Sequence, residues 1–290
     1  MHIPVLLDEV LKYLLPKAGQ NFIDCTIGGG GHSFKILSYT DPDGKILGVD
    51  LSSEAIEKID NQRRLLNLRE RIILAKDNFA NLQEIVEQNS FSPVHGILLD
   101  LGLSSDLIES SERGFSFMRD EILDMRFSPE SNGLTALEIV NQYSEKTLRE
   151  IFWRYGEERY SSRIAQEIVK FRKRKKINTT AQLSEIIKNT LGFRFHIKTL
   201  ARIFQSLRIV VNQELENLQQ ALISSVDILA PSGRIAVISY HSLEDRIVKR
   251  FFKEEDAFRI LTKKPIIPSS EEIKKNSRSR SAKLRVAEKI

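Results

Sequence analysis

Four glycines in a row follow a short apolar run in "FIDCTIGGGGHS", residues 22–33. Glycine loses more conformational freedom on folding than any other residue, so such a run belongs where the backbone needs positive φ or where something must approach it closely. Alone, it would also suit a surface turn. Its flanks argue otherwise. "NFIDCT" before it reads as a buried strand and "GHSFKILSY" after it as a helix, and the alternation then repeats. "KILGVD", "RIILAKD" and "GILLDLG" are brief, rich in Ile, Leu and Val, and end in Asp or Asp-Leu-Gly, as strands buried on both faces do. "SSEAIEKIDNQRRLLN", opened by a serine N-cap, and "NFANLQEIVEQN" are the helices between them. Strand, helix, strand in this order predicts right-handed crossovers and a doubly wound α/β sheet.

The pattern breaks after Gly102. From about 105 to 200 there is helical periodicity and no strand-like alternation, with a capping box in "TTAQ" at 179–182. Beyond it, Phe204, Leu207, Val211, Leu215, Leu218, Leu222, Val226 and Leu229 recur in steps of three or four, which predicts one long helix ended by "APSG". "RIAVISYHS" is again a buried strand. "RIVKRFFK" continues as a helix, and "FRILTKKPII" with "AKLRVAEKI" suggests an antiparallel hairpin at the sheet edge. The expected division is therefore 1–107 as the first part of an α/β domain, 108–200 as an all-helical insertion, and 201–290 as the second part with the edge hairpin and a basic tail.

A chain of 290 residues, 41% hydrophobic and 29% charged, can build one large domain or two modest ones. The start "MHIPVLLDEVLKYLLP" has acids in its apolar stretch and no basic leader, unlike a secretory signal. No apolar run reaches bilayer length. The single cysteine, Cys25, excludes an intramolecular disulfide and a cysteine-rich zinc site, and points to a reducing, cytoplasmic setting with no metal. The net charge of +5 is gathered into "KFRKRKK" at 170–176 and "KKNSRSRSAKLR" at 274–285. Two such clusters favour a polyanionic partner.

Three ligand classes use a glycine loop between a first strand and a helix. A P-loop needs Lys and Ser or Thr after the last glycine, and His32 stands there instead. A dinucleotide loop needs a third, spaced glycine that "GGGGHS" lacks, although Asp50 sits near the right distance for a ribose. S-adenosylmethionine has no phosphate. Its methionine zwitterion can lie against loop amides, its ribose on Asp50, and its adenine on Phe79 and the carboxylate of "KDNF", with Asp100 beside the transferred methyl group.

The strings "HIPVLLDEV", "DCTIGGGGHS", "DLGLSS", "RGFSFMRD", "LDMRF", "YGEERYSSRIA", "FQSLRIVVNQEL", "SYHSLEDRIVK" and "NSRSRSAKLR" together resemble the bacterial 16S ribosomal RNA cytosine-N4 methyltransferase family, over essentially the whole chain. The resemblance implies a class I, Rossmann-like methyltransferase sheet interrupted by a helical domain, S-adenosylmethionine as donor, and a decoding-region cytidine as acceptor, reached in 16S rRNA or in the small subunit. Carried over by position, the cofactor contacts are Gly30, Gly31, His32, Asp50, Phe79 and Asp100. Two positions depart from the family: Leu107 replaces its usual Gln, and Ser128 replaces an acid in "LDMRFS".

Cytosine C5 chemistry would need a nucleophilic cysteine, and Cys25, in the first strand, is expected to be buried and unreactive. An exocyclic amine needs only acceptors for its N–H groups, for which Asp100, Ser104 and Ser105 are nearest, with His241 after the fifth strand as a further candidate. Phe115, Phe117, Trp153 and Tyr155 are candidates to stack on the base, and Lys173 and Arg174 to hold its phosphates. No membrane partner is expected, and a homodimer is left open. A nicotinamide-dependent oxidoreductase and a non-catalytic RNA-binding protein are the alternatives: the first would bind NAD, the second would transfer no methyl group.

Overall fold

The structure is a computed structural model that describes residues 4–103, 107, 111–130 and 133–290. It divides into two units, residues 1–102 with 215–290, and residues 103–214.

The first unit holds a seven-stranded sheet in the order β3-β2-β1-β4-β5-β7-β6. Its strands are β1 (Phe22–Asp24), β2 (Ile46–Asp50), β3 (Ile72–Lys76), β4 (Val94–Asp100), β5 (Leu229–Ser239), β6 (Phe258–Ile260) and β7 (Lys283–Lys289). The five from β1 to β5 run parallel, whereas β7 runs antiparallel between β5 and β6. Helices α1 (Leu7–Leu14), α2 (Gly31–Tyr39), α3 (Ser53–Leu65) and α4 (Leu82–Gln88) precede or link the first strands. Ser52 caps α3 through the N–H of Ala55.

Because the parallel strands are buried on both faces, two apolar cores form. One gathers Ile23, Leu47, Val49, Ile97, Leu99, Ile235 and Val237, and the other Phe22, Ile46, Ile72, Leu98, Ala236 and Ile238. These are alternate residues of the same strands, as the two-residue period requires. Strand order reverses beside β1, which lies between β2 and β4; a doubly wound sheet binds its ligand in that crevice, beyond the carboxyl ends of the strands.

The second unit contains α5 (Ala136–Gln142), α6 (Glu145–Arg154), α7 (Ser161–Arg172), α8 (Thr180–Leu191) and α9 (Ile197–Asn212). Thr135 and Thr179 open α5 and α8 with capping boxes. Phe152, Ile164, Ile168, Leu183, Ile187, Ile203 and Leu207 fill its core.

The single long helix expected from the 204–229 periodicity is two. Gln213 adopts a left-handed φ of 51° and its N–H closes α9 on the carbonyl of Ile209, after which α10 runs over Glu214–Ile228. Apolar spacing survives the interruption because each helix still buries one face. Leu229 is the first residue of β5, and "APSG" is looped out within that strand: Val94 pairs with Leu229 and Gly96 with Arg234.

α11 (Ser242–Glu254) follows β5, and α12 (Ser270–Lys275) lies between β6 and β7. The inner position of β7 draws the end of the 274–285 basic cluster into the sheet. Arg285 is buried, with its Nε donating to Asp245 at 2.6 Å, and Lys283 lies 3.3 Å from the same carboxylate. A cation drawn into a sheet needs a counter-charge there. Likewise, Arg172 donates to the carbonyls of Val140 at 2.8 Å and Tyr143 at 2.6 Å, which binds α7 to α5, whereas Lys173, Arg174 and Lys175 are exposed.

Candidate active site

The carboxyl ends of β1, β2, β3 and β4 each carry an aspartate, and main-chain amides or hydroxyls hold all four. Asp50 accepts from the Gly28 N–H through Oδ2 and from the Ser52 N–H through Oδ1, both at 2.9 Å. Burial pushes its carboxyl above the ordinary range. Asp77, just past β3, accepts from Asn78 N–H at 2.6 Å and from the Asn81 side chain at 2.9 Å. Phe79 opens a short 3-10 turn and packs half-buried on the core.

Asp100 ends β4. Its N–H donates to the Thr26 hydroxyl at 2.8 Å, which ties β4 to the start of the glycine loop. Its Oδ1 accepts from the Tyr240 phenol at 2.8 Å and the Gly102 N–H at 3.2 Å. Burial and the neighbouring Asp100 carboxylate hold the Tyr240 hydroxyl far above the usual phenol range, so it remains a donor. Gly102 is required for this contact, since a Cβ there would lie 2.8 Å from the Tyr240 ring.

Behind the loop, Asp24 is 2% exposed. It accepts from the Ser33 hydroxyl at 2.6 Å and the Thr26 N–H at 3.1 Å. Desolvation raises its carboxyl, opposed by those bonds and by His32. A folded-state value above the unfolded value of about 3.9 stabilises the protein below that pH and loses the contribution as pH rises through the raised value. Asp24→Asn lacks this titration. The stability of the wild type relative to this variant is therefore expected to fall from pH 4 upwards in urea unfolding series; a pH-independent difference would contradict the desolvated carboxyl.

The glycine run serves two purposes. Gly28 takes a φ of 47° to aim its N–H at Asp50, with only the Thr26 carbonyl near its missing side chain. At Gly30 and Gly31 the space is filled by the protein itself. A Cβ at Gly30 would meet the Phe34 ring at 2.6 Å, and one at Gly31 the Pro4 ring at 2.4 Å. The N-terminal segment thus lies on the start of α2, where the Val5 carbonyl accepts from His32 Nε2 at 2.9 Å. His32 is buried, with Nδ1 3.9 Å from Asp100 Oδ2.

His241 caps α11 together with Glu244. Its Nε2 is 3.1 Å from Glu244 Oε1, an ion-pair distance without hydrogen-bond alignment. Glu244 Oε2 accepts from the N–H groups of Tyr240 at 2.7 Å and His241 at 3.2 Å, so this capping box also fixes the residue that holds Asp100. Ser104 and Ser105 lie outside the described residues. Cys25 is buried and burial raises its thiol well above the ordinary range, which suits a packing residue and no nucleophile.

In the helical unit, Phe115 stacks on Phe127 with ring centroids 5.8 Å apart, and Phe117 meets Phe204 edge-on at 5.5 Å. Tyr155 packs partly buried on the same core, and Trp153 is 60% exposed. Among these four aromatics, Trp153 presents the most open ring.

The sequence reading passed over Asp24 and Tyr240 as site residues. Asp24 had a signal, a charge closing an apolar strand beside a glycine loop. Tyr240 had none, because its role depends on the pairing of β4 with β5.

"GGGGHS" and the strand before it contain no Lys or Arg. Four aspartates at the strand ends beside a cation-free loop suit a sulfonium and a ribose diol better than a pyrophosphate, and the two Asp50 oxygens keep acceptor capacity beyond their backbone amides. The residues therefore fit S-adenosylmethionine. A parallel sheet with an antiparallel seventh strand inserted beside the fifth, and ligand groups at the β1–β4 crevice, defines a class I, Rossmann-like methyltransferase. The sequence matches the MraW methylase family over residues 1–290, and the chain belongs to that family.

Two relatives bear the name ribosomal RNA small subunit methyltransferase H. The one from Dehalococcoides mccartyi is 44% identical, covering all of this chain and 86% of the relative, and the one from Thermomicrobium roseum is 45% identical, covering all of this chain and 94% of the relative. A solved rRNA methylase from Streptococcus thermophilus aligns over 100% of this chain and 99% of its own with a TM-score of 0.47 and 12% identity. No helix among the described residues is long and apolar enough to cross a membrane.

Proposed function

We infer that the protein is a cytoplasmic enzyme that methylates the N4 amino group of a cytidine in the decoding region of small-subunit ribosomal RNA. The observation that carries this reading is the fixed carboxylate of Asp100 at the β1–β4 crevice, held by Tyr240 and Gly102 beside the Asp50–Gly28 contact. Family membership supplies the RNA substrate class.

S-adenosylmethionine supplies an electrophilic methyl group on a sulfonium that is already a good leaving group. The chain's own task is positioning. Asp50 would accept the ribose hydroxyls, Phe79 would stack on the adenine, and the Gly31 and His32 amides at the start of α2 would take the methionine carboxylate, the Gly30 N–H being spent on the Ile27 carbonyl at 2.7 Å. Asp100 would accept an N–H of the cytosine amine, orient its nitrogen as the nucleophile, and take up the proton that the amine sheds. Ser104 and Ser105 remain the sequence's further candidates for that acceptor role. His241 acts through Glu244 and Tyr240 as a positioning residue, and His32 holds the start of α2 against the N-terminal segment. The helical unit, with Trp153, Phe115, Lys173 and Arg174, binds the RNA. A homodimer is compatible with this chemistry and is not required by it.

Labelled methyl transfer to small subunits lacking the modification, followed by mapping of the modified nucleotide, tests the assignment. Label on a cytosine N4 is the expected result, and label at C5 would overturn the amine chemistry. The phosphate role of the exposed cluster has its own signature. Replacing Lys173, Arg174 and Lys175 with Ala is expected to flatten the dependence of log affinity on log salt by roughly 0.7 to 0.9 per lost contact, without changing S-adenosylmethionine affinity. An unaltered slope would leave the cluster as a solvated helix end.

A further inference from the structure

The helical unit contains a cavity of about 460 Å³ that no part of the chemistry above uses. It lies between the 157–160 loop and the start of α9, and four cations line it: Arg159, Arg194, Lys198 and Arg202. Exposed cations on a helical surface are ordinarily just solvated, but here the loop that carries Arg159 is pinned to the helix that carries Lys198 and Arg202. Gly156 brings the loop against α9, since a Cβ there would meet the Arg202 carbonyl at 2.9 Å. Gln205 fastens the same loop by donating to the Tyr155 carbonyl at 3.1 Å.

Glu158, 1% exposed, accepts from the Tyr160 N–H at 3.0 Å and pairs with Arg202 at 3.4 Å. The Arg159 guanidinium rests 4.6 Å from the Tyr160 ring centroid, and that of Arg194 rests 4.7 Å from the ring of Phe193, which is 91% exposed. The Arg202 and Arg159 guanidinium groups, held by a buried acid and by the half-buried Tyr160 ring, lose less side-chain entropy when they bind, and the fork geometry of all three arginines suits phosphate oxygens. Of the two acids on the lining, Glu157 and Glu158, the second is buried, so the exposed balance is cationic.

We propose that this cavity is a phosphate-binding pocket that grips the backbone of the RNA substrate. The proposal rests on the reading of the protein as an RNA methyltransferase. It is separate from the Lys173–Lys175 cluster. The pocket sits at the N-terminal end of α7 and the cluster follows its C-terminal end, and a helix of 12 residues spaces them by about 18 Å. Two grips at that separation fix a strand in direction as well as in place.

The test is a double variant, Arg194→Ala with Lys198→Ala, beside a charge-keeping control, Arg194→Lys with Lys198→Arg. Both positions are exposed, neither belongs to the methyl-transfer site, and Glu158 keeps its Arg202 partner. Thermal unfolding and S-adenosylmethionine affinity are expected to match the wild type in both. Binding to isolated small subunits is expected to weaken in the alanine variant, with the log–log salt slope shallower by about 1.4 to 1.8 for two lost phosphate contacts, and to keep its slope in the control. KM for the subunit should rise while kcat at saturation holds.

An alanine variant with the wild-type slope and KM overturns the pocket, as does a control flattened equally. Methyl transfer by the wild type, measured on the same subunits, keeps the two readings apart. Transfer with an unaltered slope in the variant sinks the pocket alone. Absence of transfer with the slope difference intact sinks the enzymatic reading and leaves the pocket standing. If the wild type does not bind small subunits, both fall.

Discussion

Asp100→Asn is expected to lower methyl transfer roughly a hundredfold or more while the protein remains folded, the range for loss of a positioned proton acceptor. The substitution isolates charge from shape. An asparagine oxygen in the place of Oδ1 still accepts from the Tyr240 phenol and the Gly102 N–H, which hold that atom at 2.8 and 3.2 Å, so the strand end keeps its geometry. What is lost is the anion facing the amine and the acceptor for the proton it sheds. Steady-state rates with labelled donor, at saturating S-adenosylmethionine, measure the effect. A variant within about threefold of the wild type would remove Asp100 from the chemistry.

Asp50→Ala should weaken S-adenosylmethionine binding by about tenfold to a hundredfold, the equivalent of roughly 1.5 to 3 kcal/mol for hydrogen bonds to a charged acceptor. Asp50 is already fixed by Gly28 and Ser52, so the ribose finds its acceptor in place and little ordering cost offsets the bond. Because burial raises the Asp50 carboxyl, wild-type affinity should also decline as pH falls through that raised value, whereas the alanine variant lacks this titration. Calorimetry over a descending pH series follows both. Affinity equal to the wild type would place the ribose elsewhere.

What the linear chain carries is set by local rules. Buried parallel strands must be apolar on both faces, so β1 to β5 announce themselves as short Ile, Leu and Val runs, and an acid that closes such a run stands at a strand end. Asp50 and Asp100 were legible for that reason, as were the capping boxes, where a side chain meets an amide three residues on. The antiparallel pairing of β6 with β7 was visible as a pattern, though 22 residues separate them.

Contacts between segments distant in sequence have no such local signature. One long helix and two helices broken at Gln213 present the same apolar spacing, since each must bury a face, and only a left-handed residue in the folded chain tells them apart. In sequence Arg285 is one charge of a basic cluster; in the fold, β7 takes an inner place in the sheet and Asp245 neutralises it. The partnership of Tyr240 with Asp100 spans 140 positions. The cationic cavity forms where a loop between two helices is drawn onto a third by Gly156 and Glu158. By itself, then, the sequence determined the sheet, its acidic strand ends and the family, because periodicity and short strings encode them. Tertiary structure alone decided which charges face solvent and which are consumed inside, because burial and pairing depend on what the fold brings alongside.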